Sequence, residues 1–323
     1  MNRYSSRFLK IVIFIFLIFI SDQVVGLILR ELYFTQKAGP NQALIYSFNK
    51  CNADIIIFGA SQASHNYDPR IISDSLKMSC YNAGQDGGHS ILMQYAQILA
   101  ILDRYSPKII VLEFSPNTIV RYPGDYDRLS ILLPYYAEYP QLRPIILLKS
   151  PYERVKLLSA IYPYNSNVIN IVRFNIDFFA AREKDFDGYI PLEGEMSYVM
   201  LKPDQEKPVN KKHTVVDSNK VDALKKIISI CREKDISLFI ISSPIFHTVI
   251  EKQIPRSSVA EISLEILRLN KVNYIDFSSD PTFAGHFEWF KDIAHLNENG
   301  AKVFSNMVVN EIRGIKKGSR GIE

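Results

Sequence analysis

Five short, almost wholly apolar segments, Asp54–Phe58, Met78–Asn82, Lys108–Phe114, Ile236–Ser243 and Val272–Phe277, limit the folds open to this chain more than any other feature. A strand with one wet face alternates apolar and polar residues, whereas a strand covered on both faces reads as a continuous apolar run. Between the segments lie stretches with apolar residues at helical spacing. ILMQYAQILAILDRY follows the second, and VDALKKIISICREK, with Asp217 and Ser218 as caps, precedes the fourth. Strands of this kind alternating with helices predict an α/β protein, a three-layer flavodoxin-like fold around a parallel five-stranded sheet. ENGAKVFSNMVVNEI predicts a last amphipathic helix, and KKGSRGIE, residues 316–323, a disordered tail.

One region breaks the alternation. Residues from about Arg121 to Lys212 separate the third strand from the helix leading to the fourth, too long for a simple crossover. This mainly helical insertion is rich in tyrosine and proline. YERVKLLSAIY has helical spacing, and DGYIPLEGEMSY reads as a loop. Its tyrosines have faces that stack on sugar rings, but packing against helices with a wet hydroxyl is the plainer expectation.

The chain opens with MNRYSSRFLK, carrying Arg3, Arg7 and Lys10, and then runs apolar with little interruption to Leu29. A helix from Phe8 to Leu29 is about 33 Å long, enough for a bilayer. Asp22 falls toward its outer end, where a charge costs less than at the midplane. The competing reading is a cleaved signal peptide, but no A-x-A site closely follows the apolar core. The expectation is an uncleaved single-pass anchor over residues 1–34, with its N-terminus in the cytoplasm. An α/β domain over 35–315 then lies outside the cytoplasmic membrane.

Composition narrows the chemistry. A formal charge of +4 over 323 residues, with no basic stripe, excludes a nucleic-acid partner. Three dispersed cysteines offer no disulfide framework, and without a His-x-x-x-His pair there is no metal set. Nucleotide-binding glycine loops are absent from the sequence, so no cofactor is expected.

Ligands of an open parallel sheet gather at the carboxyl ends of its strands. The first strand delivers Gly59-Ala60-Ser61, and the second Asn82 and the glycines of NAGQDGG. The third delivers Ser115, Pro116 and Asn117, and Asp292 and His295 follow the fifth. Each has a bland reading: Ser61 or Ser64 as a helix cap, the glycines as turn residues, Asn117 as a turn residue. Together they supply a hydroxyl, an imidazole to take its proton, and a carboxylate to orient the imidazole. Donors for an oxyanion complete the set. The three-residue spacing of Asp292 and His295 predicts one face of a helical turn. His65 is set aside as pointing away from Ser61. His89, His213, His247 and His286 lack a carboxylate at supportive spacing together with a strand-end position.

These blocks resemble the SGNH hydrolase superfamily, the GDSL esterases. GASQAS matches the first block, and the resemblance implies Ser61 as nucleophile. In NAGQDGG the family spacing from Asn82 lands on Gly87, an oxyanion N–H. LEFSPN gives Asn117 as the second oxyanion donor, and DIAHLN gives Asp292 and His295. Ala60 stands where the family has aspartate in its first block. Ser115 and Thr118 replace the glycine and second aspartate of its third. With the N-terminal anchor and the HLNxxGA ending, the pattern is similar to the membrane-tethered branch that includes the proteins of teichoic-acid D-alanylation and alginate O-acetylation. That resemblance implies an esterase or O-acyltransferase acting on acylated cell-surface polysaccharide, beside a membrane-bound O-acyltransferase. The altered blocks also admit a second reading, a catalytically inactive SGNH-fold protein in polysaccharide binding or assembly.

Overall fold

The computed structural model of the 323-residue chain describes residues 3–36, 39–176, 187–197, 215–247 and 257–318. The strands are β1 (Ile55–Phe58), β2 (Cys80–Asn82), β3 (Ile109–Glu113), β4 (Ser237–Ser242) and β5 (Asn273–Asp276). Through β1 to β3 the helices are α1 (Arg3–Phe34), α2 (Gln42–Asn49), α3 (Ser61–Asn66), α4 (Pro69–Leu76) and α5 (Ile91–Leu102). Short helices α6 (Pro123–Asp127), α7 (Arg143–Ile146), α8 (Glu153–Lys156) and α9 (Val168–Ile176) follow, and then α10 (Ser218–Glu233), α11 (Ser258–Leu269) and α12 (Glu298–Gly318).

All five strands are parallel, in the order β2-β1-β3-β4-β5. The parallel sheet is the one expected of the alternating apolar runs, and its strand order is flavodoxin-like. Side chains alternate across a strand, so Ile55, Ile57, Val111, Phe239 and Ile241 share one core with Phe304, Val308 and Ile312 of α12. Their neighbours Ile56, Ile110 and Ile240 are equally buried. Helix α4 packs against α12, and α5 against α10. Asp217 starts α10 as expected, accepting from the N–H groups of Asn219 and Lys220. The last helix runs to Gly318, and the rest of the expected tail, 319–323, lies outside the described residues.

The chain divides into two compact units, Met1–Ile45 with Tyr126–Glu183, and Tyr46–Asp125 with Lys184–Glu323. The tyrosine-rich insertion is therefore shared between them. Its first part belongs with the N-terminal helix, where the buried ring of Tyr33 meets those of Tyr135 at 6.0 Å and Tyr164 at 5.7 Å. Helix α1, 32 residues long, is long and apolar enough to cross a membrane. The other unit holds the sheet and every candidate site residue. Cys51, Cys80 and Cys231 are buried free thiols.

Candidate active site

Strand β1 ends at Phe58, and α3 begins three residues later at Ser61. The turn between them is held tight from beneath. A Cβ on Gly59 would lie 2.6 Å from the Cβ atoms of both Ala63 and Glu113, so only glycine fits. Ala60 takes the helix-cap position without a side-chain capping bond, and Ser61 is the first helical residue. The cap reading of Ser61 gives way to another contact, because its Oγ lies 2.8 Å from His295 Nε2.

His295 Nδ1 lies 3.0 and 2.9 Å from the two carboxylate oxygens of Asp292. A carboxylate only accepts, so it selects the tautomer protonated at Nδ1 and leaves the Nε2 lone pair toward Ser61. The structure thus joins Ser61, His295 and Asp292 in one chain of hydrogen bonds. It corrects the expected local geometry, however, since Asp292 and His295 stand in a bend ahead of α12 rather than on a helical turn. Asp292 Oδ1 accepts from the N–H groups of Ala294 at 2.8 Å and His295 at 2.9 Å. A short acidic side chain that captures nearby backbone donors competes with helix formation, and the helix waits until Glu298. Burial alone would raise the Asp292 carboxyl. The bond to His295 and the two backbone N–H groups outweigh it, leaving its pKa below the usual value.

Helix α3 also clamps the histidine loop. Gln62 Nε2 donates to the Ala294 carbonyl at 3.2 Å, and Asn66 Oδ1 accepts from Leu296 N at 2.9 Å. Asn82 at the end of β2 holds α3 in turn. Its Nδ2 donates to the carbonyls of Ala63 at 2.7 Å and Tyr67 at 3.0 Å, and its Oδ1 accepts from Gly84 N at 2.9 Å.

Gly87 lies in the turn after β2 with φ +98°, a conformation that favours glycine. Asn117 is exposed in the short 3-10 turn Pro116–Ile119, and Ser257 Oγ donates to its Oδ1 at 2.5 Å. That bond engages the amide oxygen, so any donation by this side chain comes from Nδ2. Neither residue is brought into contact with Ser61 or His295, which meet each other directly.

His65 is the residue whose placement differs most from the sequence reading. It lies four residues after Ser61, so the two share a helix face, and its ring meets that of His295 edge-on at 5.4 Å. Its Nδ1 donates to the Ile190 carbonyl at 2.8 Å, and its Nε2 lies 3.2 Å from Asp86 Oδ1. Acceptors at both ring nitrogens call for two protons. Burial pulls the pKa of His65 down, but Asp86 and the Ile190 carbonyl override it and the net shift is upward. Asp86, which also accepts from Ser64, is pushed down by His65 and Ser64 against the opposing effect of burial. The sole hint in the sequence is an aspartate inside the glycine turn.

The expected consequence follows from the sign of the shift. A raised folded-state pKa makes the His65–Asp86 stabilisation complete below the unfolded histidine value of about 6.5, and lost as pH rises through the folded value. The gap in thermal midpoint between the wild-type chain and Asp86→Asn should therefore be wider at pH 6 than at pH 8. A gap independent of pH would remove the ion pair.

No family model and no curated protein matches the sequence. Among solved structures, a candidate platelet activating factor from Streptococcus pneumonia is similar at TM-score 0.38 and 12% identity, over 96% of this chain and 99% of that one. An acetyl xylan esterase, AlAXEase, is similar at TM-score 0.38 and 10% identity, over 81% of this chain and 98% of that one.

Proposed function

We propose that this protein is a serine esterase or O-acyltransferase of SGNH type, and the observation that carries the reading is the unbroken chain Ser61–His295–Asp292. With Nδ1 protonated against Asp292, His295 accepts the Ser61 proton at Nε2 as Oγ bonds to the carbonyl carbon of an ester. The negative charge that develops on the carbonyl oxygen is met by the N–H groups of Gly87 and Ser61 and by Asn117 Nδ2. His295 returns its proton to the departing alkoxide, leaving an acyl group on Ser61. Water then releases the acyl group as a carboxylic acid, or a sugar hydroxyl takes it as a new ester; in either case His295 accepts the incoming proton and restores Ser61.

The substrate class we assign is O-acylated cell-surface polysaccharide outside the cytoplasmic membrane, with α1 as the anchor and a membrane-bound O-acyltransferase as partner. The resemblance of the four motif blocks and the apolar N-terminal helix support this assignment. A fluorophosphonate probe tests the core of the proposal. The expected result is one adduct on the peptide carrying Ser61, absent from Ser61→Ala and strongly slowed in His295→Ala. A wild-type chain that takes no label while still binding acylated glycan favours the binding or assembly reading instead.

A further inference from the structure

In the unit formed by α1 and the first part of the insertion, the one acidic residue inside the apolar stretch of α1 is caged. Asp22 accepts from Ser159 Oγ at 2.5 Å and from Ala160 N at 2.7 Å. Its neighbour Gln23 donates to Asp22 Oδ2 at 3.0 Å and to the Leu158 carbonyl at 3.4 Å. One turn further on, a Cβ on Gly26 would overlap Ala160, so glycine lets the segment lie directly against the helix. Higher up, Arg30 Nε meets Glu138 Oε1 at 2.7 Å. Eight residues of helix, about 12 Å, separate the Asp22 contact from that charged pair. If Arg30 and Glu138 mark the water interface, Ser159 and Ala160 lie well below it.

The segment is chemically suited to that depth. Backbone donors in lipid must be satisfied within the protein. Here Leu157 N donates to Glu153 O, Leu158 N to Val155 O, Ser159 N to Lys156 O, Ala160 N to Asp22 and Tyr162 N to Ser159 Oγ. The buried carboxylate of Glu153 is neutralised by Lys156 at 2.8 Å and bonded by the Tyr162 hydroxyl at 2.7 Å. Outward, the segment shows apolar side chains, with Val155 67% and Leu158 70% exposed. Helix α9 repeats the pattern. Ile169, 82% exposed, and Ile176, 73% exposed, share a face with Val172, while Asn175 Nδ2 ties the helix to the Leu32 carbonyl at 2.9 Å. The bare flank of α1, with Val24, Leu27 and Ile28 exposed, belongs to the same unit.

We infer that the insertion segment from Glu153 to Ile176 is embedded in the outer leaflet of the bilayer, with lipid acyl chains covering Val155, Leu158, Ile169 and Ile176. This rests on α1 spanning the membrane. Asp22 is then no defect in the span but the peg that holds the segment at its depth, and α9 lies at the interface as an amphipathic helix. Lys149 and Lys156 hold their ammonium heads on Glu153, so the segment carries that carboxylate with its charge matched.

The test uses the full chain in phosphatidylcholine–phosphatidylglycerol vesicles, with a bimane fluorophore on a cysteine introduced by Leu158→Cys, Ile169→Cys, Phe16→Cys or Ala137→Cys. The wild-type chain, whose own thiols are buried, sets the background. Positions 158, 169 and 16 are expected to lose most of their emission to doxyl-labelled lipid and to resist aqueous iodide. Position 137, next to Glu138, is expected to do the reverse. Lipid quenching at 16 with iodide quenching at 158 and 169 overturns the embedded segment and leaves the anchor standing. Failure of lipid quenching at 16 overturns the anchor itself. Protection at 158 from both quenchers assigns the apolar face to another protein and also overturns the inference.

Discussion

Replacing Ser61 by alanine is expected to lower hydrolysis of a small acyl ester such as p-nitrophenyl acetate by about 10⁴-fold or more, the scale of loss when a serine nucleophile is removed from a triad. The substitution takes away an oxygen that His295 Nε2 meets at 2.8 Å and leaves the surrounding clamp of Gln62, Asn66 and Asn82 untouched, so the fold should persist. His295→Ala should cost as much. The double variant should be no worse than either single one, because the two groups move one proton as a unit. Asp292→Asn is the more discriminating change. Asparagine can still accept from the N–H groups of Ala294 and His295, so the bend survives, but its amide no longer fixes the charge and tautomer of the imidazole. A loss of about 10²- to 10⁴-fold in kcat with little change in KM is expected. Full activity in Ser61→Ala, or losses that multiply in the double variant, would remove the proposed chemistry.

What the sequence made legible, and what it did not, follows from where each signal resides. A strand buried on both faces has to be apolar at every position, so Ile55–Phe58 and Ile109–Glu113 announce themselves, and short apolar runs separated by helices admit few topologies. That Ser61 and His295 come together was legible because such a sheet gathers its polar groups beyond the carboxyl ends of its strands. The bend that carries Asp292 and His295 was not. Three-residue spacing suits a helical turn equally well, and the choice was made by a side chain that captures two backbone N–H groups. The His65–Asp86 pair joins α3 to the turn after β2, and neither partner has a local pattern that names the other. Part of the insertion is tied to α1 by contacts such as that of Asp22 with Ser159, 137 residues apart. Local periodicity holds no information about such a bond.

Glu113 is the second position where a large effect is expected. It ends β3 as the one charged residue of the strand, buried beneath the Gly59 turn. Ser243 donates to it through Oγ at 2.5 Å and through its N–H at 3.2 Å, and the Tyr67 hydroxyl donates as well. Burial pushes its pKa up to about 7, and the donors from Ser243 and Tyr67 only partly restrain the rise. Between the unfolded value of about 4.5 and the folded value the native state holds the extra proton. Stability contributed by this group is therefore complete below pH 4.5 and falls as pH rises through 7, in total by about 3 kcal/mol. Glu113→Gln keeps the shape and removes the titration. Relative to wild type, its unfolding free energy should improve by that amount between pH 4.5 and pH 8, measured from urea midpoints by pulse proteolysis of the full chain. His65 is present in both proteins, so its titration cancels in the difference. Curves that run parallel at every pH would mean that the carboxyl is ionised throughout, stabilised by its donors more strongly than burial opposes it.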